Sequence, residues 1–212
     1  MRIISINVGD PQEVSWKGRT VITGIFKQPV EGPIRLRKLN LDGDRQADLT
    51  VHGGHDKAVY AYPSEHYSYW RVELPGAVLP WGMFGENFTT EGLREDETHI
   101  GDQFRIGSAL VMVTQPRLPC YKLGLKFGRD DMVKLFLQSR RTGFYFSVLE
   151  EGELAPGDAI ARVAADPAGV SVADITNLYV SRNPDPELIR RAVAVEALPA
   201  NWRDHLLEQL AE

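Results

Sequence analysis

The strongest constraint on this chain is its punctuation. Short β-rich runs, each cut off by glycine or proline, follow one another from residue 2 to about residue 165. "RIISINVG" and "GRTVITGIFK" are rich in β-branched residues with partial alternation, and "DKAVYAYP" is a third such run, ended by Pro63. "DQFRIG" and "SALVMVTQ" flank Gly107 and Ser108 and read as a hairpin. "GFYFSVLEEGELAPGDAIARV" reads as two further strands with a Glu-Gly turn between them. Runs this short, without regular crossover helices, predict a mainly β fold, an antiparallel sandwich or barrel.

A few helices interrupt and then follow this pattern. "PSEHYSYWRVEL" carries Ser64 as an N-cap and places His66, Tyr69 and Trp70 on one face. "RDDMVKLFLQSRRTG" runs from acids to bases, with Met132, Leu135 and Phe136 as its apolar stripe and Gly143 as its stop. Beyond "AADPAG" the composition turns helical. Ser171 and Asp174 form a capping-box pattern, Asp185 and Pro186 open a second helix, and "NWRDHLLEQLAE" closes the chain. The expected organisation is a β domain over residues 1–165 and a small three-helix appendage, an interaction module, over residues 166–212.

Composition narrows the function classes. The net charge of -5 disfavours phosphate-driven binding to nucleic acid, and the helical tail is not basic enough for a DNA-reading helix pair. No apolar run is long enough to span a bilayer, and the start lacks the apolar core of a signal peptide. A single cysteine without an export signal fits a reducing cytoplasm. Within this acidic chain, residues 103–129 hold five basic side chains (Arg105, Arg117, Lys122, Lys126 and Arg129) and no acid. That island reads as a local anion site, or as a solvated basic loop.

The lone cysteine lies inside it, in "TQPRLPCYKLGL". Thiolate is the reactive, metal-binding form, and neighbouring cations favour it. Arg117 and Lys122 are close in sequence, and Pro116 and Pro119 stiffen the loop. A small buried hydrophobe is the competing reading of Cys120. In "VHGGHDKAVY", Gly53 and Gly54 permit close backbone approach to a ligand and Lys57 adds a charge for phosphate. His52, His55 and Asp56 resemble zinc ligands, but no spacing completes a tetrahedral set. In "WGMFGENFTTEGL", Gly85 and Asn87 form a polar turn with an amide to offer a heterocycle or phosphate. No Walker loop, dinucleotide fingerprint or nucleophile elbow is present.

Taken in order, "LDGDRQAD", "VHGGHDKAVYAYP", "FGENFTTEGL", "IGDQFRIG" and "QPRLPCYKL" resemble the MOSC domain family, named for the C-terminal domain of molybdenum-cofactor sulfurase. The likeness extends over nearly the whole chain and is nearest the free-standing bacterial YiiM type, which also carries a three-helix C-terminal region. The resemblance implies a β-barrel-like domain in which Cys120 ligates the molybdenum of a molybdopterin cofactor, a soft donor beside the pterin's own sulfurs. Arg117, Lys122 and Lys57 would then hold the cofactor phosphate. Gly53, Gly54 and Asn87 would offer backbone or amide groups, and His52 and Asp56 would orient the loop or handle protons. The implied activity is reduction of N-hydroxylated compounds such as hydroxylaminopurines, with electrons from a separate flavin-containing reductase. An alternative is a sulfur carrier, with a Cys120 persulfide delivering sulfur to a metalloenzyme.

Overall fold

The computed structural model describes residues 1–47 and 53–211. The chain opens with β1 (Arg2–Val8), the hairpin β2 (Gln12–Trp16) and β3 (Arg19–Thr23), then β4 (Gln28–Pro29) and β5 (Ile34–Leu36). A 3-10 turn at His55–Lys57 leads into β6 (Val59–Pro63), α1 (Glu65–Glu73) and β7 (Phe88–Glu91). Next come β8 (Gln103–Ile106), β9 (Ala109–Pro116), α2 (Tyr121–Phe127) and α3 (Met132–Ser139). The strands end with β10 (Phe144–Glu150), β11 (Gly152–Leu154) and β12 (Ile160–Ala164), and the chain closes with α4 (Val172–Val180), α5 (Pro186–Val193) and α6 (Ala200–Ala211).

Eight strands form one sheet in the order β12-β8-β9-β10-β6-β7-β1-β4. The expected hairpin at Gly107-Ser108 is present, with Ile106 paired to Ala109. The all-antiparallel expectation needs correction, because β6 and β7 run parallel, with Ala61 opposite Phe88. Parallel neighbours require a crossover, and α1 is that crossover. The stretch read as two strands around the Glu-Gly turn forms three, β10, β11 and β12, of which β11 pairs with β5 and β12 with β8. The expected barrel is not closed by a strand ladder. The outer edge of β1 pairs with β4 at Asn7 and Val8, and at its other end meets the chain just before β12 through a single bridge, Arg2 to Ala159. The sheet therefore curls until its ends touch, yet remains open.

Alternation explains how this sheet divides the interior. In β6 every residue is buried. Val59 and Ala61 join the main core with Phe104, Phe144 and Phe146. Tyr60 and Tyr62 point the other way, into a second cluster with Trp70, Phe84, Leu123 and Phe136. Trp70 and Phe136 stack there at 5.8 Å, and the indole N–H of Trp70 donates to the Tyr62 hydroxyl at 2.6 Å.

The C-terminal helices complete the main core. The Ser171–Asp174 capping box forms in both directions, and Asp185 caps α5 at the Glu187 N–H. Ile175 and Leu178 of α4, Ile189 of α5 and Leu206 of α6 belong to the same continuous cluster as the sheet. Helix α3 stops earlier than expected, at Arg140 in a left-handed conformation (φ 56°) rather than at Gly143. Because Leu206 is fully buried in the shared cluster, Leu206→Ala should cost about 2–5 kcal/mol. A thermal melt followed at two wavelengths should show the whole chain shifting in a single transition.

Candidate functional site

A cleft with about 90 Å³ of water-accessible space opens where the 24–27 segment, the glycine loop before β6, the 85–87 turn and the start of α2 converge. Cys120 sits at its wall as the N-cap of α2, in an extended conformation (φ -119°, ψ 172°) and partly exposed. Pro116 ends β9, and the Arg117 N–H then bonds the Gly143 carbonyl at 3.1 Å, so the segment leading to the cysteine is anchored on the strand beside it.

Among the described residues five cations line the cleft: Lys27, Arg45, Lys57, Arg117 and Lys122. Among the described residues no carboxylate shares that lining. Arg117 is the most deeply set, 6% exposed. Its guanidinium lies 4.7 Å from the Tyr60 ring centroid and 5.5 Å from that of Phe136. Burial works against its charge, but the surrounding Tyr60, Tyr145 and Cys120 more than reverse this, so its pKa lies above the usual arginine value. Burial raises the phenols of Tyr60 and Tyr145, which stay neutral at physiological pH. One nitrogen of Arg117, Nη1, is buried with no hydrogen-bond partner among the described residues. A buried guanidinium donor left unmatched costs free energy unless a ligand accepts from it.

The walls are held by buried polar staples. Asp44 accepts from the Gly9 N–H and the Asn87 amide, each at 2.9 Å, and pairs with Lys27. Burial lowers the Lys27 pKa, against the pull of Asp44. Lys126 donates to the carbonyls of Ile25 at 2.8 Å and Gly82 at 2.5 Å. Gly85 lies so close to the facing segment that an added Cβ would stand 2.8 Å from Ile25 Cγ1.

Of the residues expected at the site, Cys120, Arg117, Lys122, Lys57, Gly53 and Asn87 share this cleft. Gly54 is the positive-φ N-cap of the adjoining 3-10 turn (φ 86°, ψ 179°) and lies outside the lining. Asp56 is not brought to the cleft: its carboxylate is half exposed and faces His55 at 3.2 Å, while its carbonyl is turned onto β9. His52 lies outside the described residues. Asn87 lines the cleft, but both its N–H groups are committed, to Asp44 and to the Asn7 carbonyl, which makes it a strut. The basic island disperses on folding. Arg105 pairs with Glu150 and Arg129 with Asp131, whereas Arg117 and Lys122 turn inward. Sequence reasoning missed Lys27, Arg45 and Tyr145; Arg45 lies in the family motif "LDGDRQAD", whereas Lys27 and Tyr145 lie in runs that signal only strands.

Residues 48–161 match the MOSC domain and residues 170–212 the YiiM-like 3-alpha helix domain. The chain belongs to the MOSC family. Within it, the protein is of the YiiM type. It is 42% identical to YflK of Bacillus subtilis over 98% of this chain and 93% of that protein. The crystal structure of YiiM from Geobacillus stearothermophilus superposes with a TM-score of 0.82 at 37% identity, covering 99% of this chain and 98% of that one. A protein named Reductase from Gibberella moniliformis is 31% identical over 78% of this chain, which spans 30% of that longer protein. Among the described residues, no helix is long and apolar enough to cross a membrane. No group of three or more described His, Cys, Asp or Glu residues is placed to hold a metal ion, so Cys120 is the soft donor this MOSC cleft offers.

Lys126 supplies a pH test of the wall. Burial lowers its pKa to about 8, against the attraction of Glu86, from an ordinary value of 10.5. Between these values the unfolded chain holds the proton that the folded chain has lost, so stability rises with pH across that window. Lys126→Met should flatten that rise in urea unfolding midpoints measured from about pH 8 to 10.5.

Proposed function

We propose that this cleft binds a molybdenum cofactor through Cys120 and that the protein reduces N-hydroxylated compounds, such as hydroxylaminopurines. The balanced reaction takes N–OH, two electrons and two protons to N–H and water. The observation that carries the proposal is buried Arg117 Nη1, which has no hydrogen-bond partner among the described residues, in a cleft that holds Cys120 and whose charged side chains, among the described residues, are all cations. These residues fit a phosphorylated pterin. Arg117 offers its open donor to a phosphate oxygen, Lys57 and Lys122 add charge at the rim, and Gly53 lets the backbone come close. Cys120 offers a thiolate to a metal that also carries sulfur ligands. The neutral phenols of Tyr60 and Tyr145 keep competing negative charge away from the anion. When bound, the cofactor supplies a metal that takes up and passes on electron pairs. In this reading the electrons come from a separate flavin-containing reductase, and the name of the fungal relative supports the reaction class.

Elemental and pterin analysis of protein made in a cofactor-competent host should find both molybdenum and pterin. Cys120→Ala should abolish metal-dependent N–OH reduction. Arg117→Met should weaken pterin retention about ten- to a hundred-fold, the loss expected for a charge-assisted bond. Metal-free wild-type protein, or undiminished turnover by Cys120→Ala, would overturn the proposal. A cyanide-labile sulfur on Cys120 without metal would point instead to a sulfur carrier.

A further inference from the structure

We infer that the C-terminal helices position the glycine loop of the cleft through a buried hydrogen-bond relay from Trp202 through Gln115 to Asp56. Trp202, on α6, is 4% exposed, and its ring N–H donates to Gln115 Oε1 at 2.7 Å. Gln115, on β9, is 2% exposed, and its Nε2 donates to the Asp56 carbonyl at 3.2 Å. The Thr114 hydroxyl donates to the same carbonyl at 2.7 Å. Asp56 lies in the turn closed by the Lys57 N–H on the Gly54 carbonyl, and Gly53 and Lys57 on either side of it line the cleft.

The direction of the relay follows from donor chemistry. An indole N–H only donates, so it compels Gln115 to present its oxygen to α6 and hence its NH2 to Asp56. Without Trp202 the amide is free to flip, which would set oxygen against oxygen at Asp56. Burial makes that mismatch expensive and the matched relay strong. The loop needs such an anchor, because two adjacent glycines lose more conformational freedom on ordering than other residues. Trp202 is itself held from the far side by Tyr179 of α4, with ring centroids 5.5 Å apart. Trp202 and Gln115 are therefore positioning residues for Gly53 and Lys57, and no part of either needs to touch a ligand. Their effect on cofactor retention rests on the function proposed above, whereas the relay does not.

The test is amide hydrogen exchange of residues 53–58 in the full chain, read against amides of β1 as an internal control. Trp202→Phe and Gln115→Glu should each speed exchange in that segment about five-fold, the loss of one net hydrogen bond, with β1 unchanged. The double variant should exchange no faster than Gln115→Glu alone, since both changes break one chain of bonds. In Gln115→Glu the excess over wild type, compared at equal pH, should shrink as pH falls through the new carboxyl's pKa. There the protonated acid donates where the amide did. Unchanged exchange in both variants, additive effects, a pH-independent excess, or equal acceleration throughout the molecule would overturn the relay. If Trp202→Phe does not fold, the pH dependence of Gln115→Glu decides the question alone. Pterin content, measured alongside, should fall in both variants. Wild-type protein without pterin would sink the cofactor proposal and leave the exchange result standing.

Discussion

The cleft is organised around one buried carboxylate. Asp44 is 2% exposed, and a charge so placed is tolerated only if its oxygens are fully matched. It meets that demand by drawing three distant segments together: Gly9 at the end of β1, Lys27 on the 24–27 wall, and Asn87 at the start of β7. Asn87 passes the constraint on, its Oδ1 accepting the Tyr60 N–H of β6 at 3.2 Å. A single charge thus sets the separation of β1, β6 and β7 where the cleft opens. Lys27 is matched to Asp44 within the wall, and among the described residues no acid lines the cleft beside the remaining cations.

The second organising device is the two-sided burial of β6. One face packs into the sheet's core, and the other presents Tyr60 and Tyr62 to the aromatic cluster beneath the cleft. Arg117 lies against that cluster with its charge spread over two ring faces, an arrangement a guanidinium tolerates better than an ammonium would. The floor is consequently rigid, aromatic and cationic together. Glu86 braces the same region from below: it is fully buried and accepts from the Tyr67 hydroxyl and from the Gly82 and Phe84 N–H groups. Burial raises its pKa.

A continuous core gives the C-terminal helices a structural role that reaches the cleft. They share one core with β9, and Gln115 and Thr114 of that strand hold the Asp56 carbonyl of the loop. Helices and cleft are thus connected through one strand.

Much of this was legible in the sequence. The Gly107-Ser108 hairpin signal marked β9, whose Ala109, Val111 and Val113 are all buried, and capping chemistry marked α4 and α5. The ordered motifs identified the family, and the prolines around Cys120 marked a stiff loop. These are local signals, readable because strand and helix periods and cap geometry span only a few residues. Tertiary structure alone decided the parallel β6–β7 pair, the open curl of the sheet, and the choice of Arg117 over Arg105 as a buried cation. It also decided that Lys27 and Tyr145 would stand beside Cys120, and that Asp56 would contribute a carbonyl instead of a carboxylate. Each depends on contacts between residues far apart in the chain, and such pairings are selected by the packing of the whole sheet.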